Sequence, residues 1–78
     1  SSRPAAVAAK QAILQLHTDP TMAFYKAGVA QLQEVCKSLF MSMHTDDVSE
    51  STNKRRSRLL RKTELQVLLA DLFLPVAT

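Results

Sequence analysis

The stretch PTMAFYKAGVAQLQEVCKSLFMSMH, residues 20–44, decides the fold. Met22, Tyr25, Val29, Leu32, Cys36, Leu39 and Met43 recur with alternating steps of three and four. That is the period of one apolar helix face, sustained over three heptads. Val35 and Phe40 widen the apolar arc, and Lys26, Gln33 and Lys37 take the opposite face. The spacing predicts one long helix, B, over about 20–44, with its seam in the core of a small bundle. The only glycine of the chain, Gly28, falls inside this helix. It costs about 1 kcal/mol there relative to alanine, which points to a close helix crossing.

Outward from helix B, the neighbours also read as helices. Pro4 suits a first helical turn, where its missing N–H would be unpaired anyway. Alanines at 5, 6, 8, 9 and 12 favour the helix after it. Helix A is predicted over about 4–17, with Ala6, Ala9, Ile13 and Leu16 as its inner stripe. Thr18-Asp19-Pro20 ends it, because a proline disfavours the α conformation in the residue before it. The same residues can start helix B, with Thr18 or Asp19 as cap. So short a turn makes A and B an antiparallel pair.

After helix B, residues 45–53 are polar, acidic and rich in Ser and Thr, and read as a flexible loop. Helix C is predicted over about 54–73, capped by Ser51, Thr52 or Asn53 and stopped by Pro75. From Leu65 to Leu74 it is apolar on nearly every side, so it is either enclosed or one face awaits a partner. The expected fold is an all-α, three-helix antiparallel bundle in one domain, 1–78. A helix A of roughly 20 Å cannot cover a B–C hairpin longer than about 30 Å. An apolar groove beside helix C is therefore expected.

Composition narrows the function. The chain has 78 residues, a formal net charge of +3, one cysteine and no tryptophan. One glycine is too few for a phosphate-cradling loop, whose backbone must approach the anion closely. A single cysteine, Cys36, allows neither an internal disulfide nor a multi-cysteine zinc site. On the helix B seam it behaves as a small hydrophobe. His17 and His44 fall at predicted helix C-termini, where an imidazolium suits the dipole, and they join no ligand pattern. No paired carboxylates and no nucleophile with its base stand out. The expectation is a protein without catalytic residues, cofactor or metal. No apolar run reaches the roughly 18 residues of a membrane span. The start, Ser1-Ser2-Arg3-Pro4, reads as that of a domain excised from a larger protein.

Charge is unevenly spread. Lys54, Arg55, Arg56, Arg58, Arg61 and Lys62 follow closely on Asp46, Asp47 and Glu50. The basic run has three readings: a solvated face compensated by the adjacent acids, a surface for an acidic protein, or a nucleic-acid patch. No aromatic side chain interleaves with the cations, so base stacking is unsupported. Cations at the N-terminal end of helix C oppose its dipole, which calls for compensating acids. Lys54-Arg55-Arg56-Ser57 also has the pattern of a basophilic kinase site, making Ser57 a candidate phosphosite within a first helical turn. Leu65-Gln66-Val67-Leu68-Leu69 has the L-x-x-L-L pattern of groove-docking helices, but an apolar core helix produces that pattern readily.

Ala23, Phe24, Tyr25, Lys26, Gly28, Val29 and Leu32, with Lys62, Val67, Ala70 and Asp71, resemble the second and third helices of the MIT (microtubule-interacting and trafficking) domain family. The resemblance spans roughly residues 5–73. Thr18-Asp19-Pro20 replaces the family's longer turn, Gln66 stands where tyrosine is usual, Leu69 stands where arginine is usual, and the B–C loop is longer. The resemblance implies a three-helix bundle that binds short tail helices of membrane-remodelling subunits beside helix C. Lys62, Val67 and Asp71 would line that groove.

The leading expectation is a protein-interaction module that takes a short amphipathic helix of a partner, with Lys62, Val67, Leu68 and Asp71 as contact residues. A homodimerisation domain of a larger nuclear protein is the first alternative. A nucleic-acid module using residues 54–62 is the second. An intracellular setting is expected, cytoplasmic or endosomal for an MIT-like adaptor and nuclear otherwise.

Overall fold

The computed structural model describes residues 3–48 and 55–75. It is mostly helical. In chain order the elements are α1 (Pro4–Leu14), α2 (Pro20–Lys26), α3 (Val29–Ser38), β1 (His44–Val48), β2 (Arg55–Leu59) and α4 (Lys62–Phe73). The expectation of three long helices is corrected in two places.

The first correction is helix B. Ala27 and Gly28 are extended, with ψ 140° and 164°, so the chain leaves one helix at Lys26 and enters another at Val29. Gly28 is the N-cap of α3, and its N–H donates to Oε1 of Gln31 at 3.0 Å. That bond satisfies a donor left orphaned at the helix start. Gly28 marks no close crossing, since a Cβ built on it would meet nothing nearer than Gln31 Oε1 at 4.0 Å. The break also changes the helical phase. Ala23, Phe24, Ala27, Leu32, Val35 and Cys36 are buried, whereas Met22, Tyr25 and Val29 of the expected seam are exposed.

α3 then stops at Ser38 instead of continuing to His44. Phe40 takes a left-handed conformation, φ 55°. Its N–H donates to the carbonyl of Lys37 at 3.2 Å, and Met41 N–H donates to that of Cys36 at 2.9 Å. This is the Schellman stop, normally made with glycine. Phe40 does not widen the core arc: its side chain is 79% exposed.

The second correction is the region expected as loop and early helix C. Residues 44–48 and 55–59 form a two-stranded antiparallel hairpin. Its register sets Asp46 opposite Ser57 and Asp47 opposite Arg56. The acidic segment and the basic segment are thus the two partner strands of one ladder. Arg55, Arg56 and Arg58 lie on a strand, not at a helix N-terminus. Ser57, also on a strand, has no helix dipole to favour a phosphate and has Asp46 across the ladder. His44 opens β1, and His17 lies in the α1–α2 turn, so neither sits at a helix end. The predicted cap Ser51–Asn53, Lys54 and the rest of the acidic loop, 49–53, lie outside the described residues.

The turn before α2 follows its sequence. The Asp19 side chain accepts from Thr21 N–H at 3.0 Å, and Pro20 occupies the first helical position. α1 ends at Leu14, three residues earlier than expected.

The helices form a cycle in which α1 packs on α2 and α3, and α4 packs on the same two. Ile13, Phe24, Leu32, Val35, Cys36, Leu65, Leu69 and Phe73 make one core cluster. The Phe24 and Phe73 rings stack at 4.9 Å between centroids, joining α2 to α4. Burying each large side chain contributes about 1.5–3 kcal/mol. Neither strand comes alongside a helix, so the hairpin projects from the helical body.

Two stability outcomes follow. Leu69→Ala should cost about 2–5 kcal/mol by opening a cavity in the only core cluster among the described residues. Gly28→Ser should raise stability by about 0.5–1 kcal/mol, since the cap conformation suits serine and the unfolded chain loses freedom. Denaturant unfolding measures both. A loss of stability on Gly28→Ser would return Gly28 to a packing role.

Candidate functional site

The backbones of α1 and α4 do not come alongside each other, although the Lys10 side chain of α1 reaches the Phe73 ring of α4. The result is a cleft of about 320 Å³. Its floor is Val35 and Leu39 of α3, and one wall is Leu72 and Phe73 of α4. The other wall is Arg3, Ala6, Val7 and Lys10. These four follow the i, i+3, i+4, i+7 spacing of a single helix face. The lining is apolar apart from Arg3 and Lys10, and it holds no acidic side chain.

Both cations are placed by rings. The Arg3 guanidinium lies 4.0 Å from the Phe40 ring centroid, and Lys10 Nζ lies 5.7 Å from that of Phe73. Each contact is worth about 0.5–1 kcal/mol at an exposed site. The left-handed backbone at Phe40 costs about 1–2 kcal/mol. An exposed aromatic in this conformation stands at the mouth of the cleft, beside Arg3.

Unequal helix lengths, the sequence-based reason for a groove, do not produce it. α1 has 11 residues, α3 has 10 and α4 has 12. The opening arises because α1 and α4 occupy opposite corners of the helix cycle.

The expected contact residues fall on different faces of α4. Val67 and Asp71, one turn apart, share an outer row, and Val67 is 80% exposed. Leu68 lies one turn before Leu72 on the same row, outside the cleft lining, both being partly exposed. Lys62 sits about 140° around the axis from Val67, at the helix start. The groove therefore does not gather Lys62, Val67 and Asp71 together. Leu65 and Leu69 of the L-x-x-L-L stretch are buried in the core. Sequence reasoning missed Arg3, Val7, Lys10, Leu72 and Phe40. The spacing from Arg3 to Lys10 was a usable signal, but nothing local announced Phe40.

A second feature joins the hairpin to the body. Arg58 donates two hydrogen bonds to Glu64, at 2.8 and 3.0 Å, in bidentate geometry. Glu64 Oε1 also accepts from Arg61 N–H at 2.9 Å, capping α4. The Arg58 guanidinium, followed by the Arg61 amide, holds the Glu64 carboxyl down at about 2 against its ordinary 4.5. Leu60 N–H donates to Met43 carbonyl at 2.7 Å, closing the hairpin base. The Arg58 side chain and the Arg61 backbone thus have structural work at this junction.

Cys36 is buried, and burial pushes its thiol up, away from the thiolate that chemistry would need. Among the described residues no group of three His, Cys, Asp or Glu could hold a metal ion, and no helix is long and apolar enough to cross a membrane. No family model, curated protein or solved structure matches the chain.

Two measurements test these contacts. Because the folded Glu64 value is depressed, its stabilisation is complete above about 4.5 and is lost as pH falls through about 2. The stability gap between the protein and Glu64→Gln should therefore shrink across that window. Phe40→Gly should stabilise by up to about 1 kcal/mol, the relieved backbone strain less the lost ring contact.

Proposed function

We propose that the chain is a non-catalytic protein-interaction module that takes a short amphipathic helix of a partner in the groove beside α4. One observation carries this reading: the backbones of α1 and α4 stand apart beside α3, leaving an apolar cleft of about 320 Å³ with Val7 and Leu72 partly exposed on its walls. A guest helix laid there would complete the packing of α1, α3 and α4, in the helix-in-groove mode. Leu68 and Leu72 would be the apolar contacts from α4.

An MIT-like adaptor is the form of this reading that the sequence resemblance suggests, with a cytoplasmic or endosomal setting. A guest bound through Val67 and Asp71 would instead lie on the outer row of α4, a different face from the groove. A protein partner is preferred to nucleic acid because no aromatic side chain interleaves with the basic run, which leaves base stacking unsupported. A second copy of the chain is the alternative occupant, as in a homodimer of a larger nuclear protein.

A display selection of helical peptides of about 14 residues, four turns, supplies the probes. Leu72→Asp should weaken the selected peptides about tenfold or more, since it puts a charge in an apolar contact. Val67→Asp should leave them bound, and circular dichroism should show both variants helical. Loss of binding in Val67→Asp alone would move the site to the outer row of α4. A dimer in light scattering that Leu72→Asp dissociates would make the occupant a second copy.

A further inference from the structure

We infer that the groove is selective for an acidic guest: an amphipathic helix bearing two carboxylates seven residues apart, with apolar side chains between them at the third and fourth positions. This rests on the groove reading above and adds the partner's chemistry and register.

Arg3, Ala6, Val7 and Lys10 line the α1 wall as a cation, two apolar residues and a second cation. Arg3 is the N-cap of α1 and seven residues are two helical turns, so the backbone positions of Arg3 and Lys10 lie about 10 Å apart along one side of the helix. A guest helix beside α1 has the same pitch. Carboxylates at its own positions i and i+7 would meet both cations at once, while positions i+3 and i+4, on the same face, would meet Val7, Leu39 and Leu72.

The charge has one sign. No acidic side chain lines the groove, and the first turn of α1 holds none. The ion pair on α3, Lys37 with Glu34, is already self-compensated at 3.7 Å and exposed. A basic guest would meet Arg3 and Lys10 as repulsion, and a neutral one would leave them uncompensated at the rim. Phe40 and Phe73 hold the two cations over their ring faces, which restricts where the charges stand before the guest arrives. That placement favours a fixed register over diffuse attraction. Phe40 retains its strained left-handed backbone at this rim, which fits a part in guest contact.

The test uses the selected helical peptides as probes, with binding mapped by backbone amide shifts. The expected result is enrichment of Asp or Glu at positions seven apart flanking Leu, Ile or Phe, with shifts at Val35, Leu39 and Leu72. Replacing both acids by their amides should weaken binding about fivefold, as two exposed ion pairs would, and raising salt should weaken the acidic peptide only. The double variant Arg3→Glu with Lys10→Glu should reverse the preference toward lysine-bearing peptides. Peptides that bind in the groove without charge preference would overturn this inference and leave the groove reading standing. Peptides that bind without shifting Val35, Leu39 or Leu72, or a selection that enriches nothing, would overturn both.

Discussion

Two extended residues, Ala27 and Gly28, shape everything around them. They cut what would be a single rod into α2 and α3 and let the chain change direction within one peptide step. Because the break resets the helical phase, Phe24 and Leu32 both reach the same core from different helices. Phe24 then stacks on Phe73, which brings α4 against α2. With α2 and α3 each occupying a corner, α1 and α4 are held apart, and the groove between them is the consequence.

The hairpin is attached to this body at few points, and they are specific. Glu64 accepts from the Arg58 side chain and the Arg61 backbone together, so one carboxylate anchors β2 and starts α4. Exposed ion pairs in general contribute little. Here bidentate geometry and the shared cap make the contact a positional one, fixing where the helix begins. Arg58 of the basic run is thereby tied to Glu64, whereas Arg3 and Lys10 line an apolar cleft.

Arg3 and Lys10 sit where helix geometry places them, and their surroundings come from elsewhere in the chain. Phe40 arrives through the stop of α3, Phe73 through the last turn of α4. Each cation is therefore placed by an aromatic from a distant segment. Separate segments of the chain combine to present one positively charged, apolar-floored slot.

The local features were legible from the residues themselves. The helical character of 4–14 and 62–73, the cap at Asp19 with Pro20 behind it, and the core role of Ile13, Leu65 and Leu69 all follow from propensity, capping and periodicity over a few turns. The hairpin, the break at Gly28 and the groove took shape only on packing. The 3-4 spacing through residues 22–43 is compatible with one helix, and nothing local tells an N-cap glycine from a glycine inside a helix. Similarly, Arg55–Leu59 becomes a strand because the acidic segment 44–48 pairs with it, a choice made between segments and not within either. Which apolar residues end up exposed beside which charges depends on how four helices pack, and packing is a property of the whole chain.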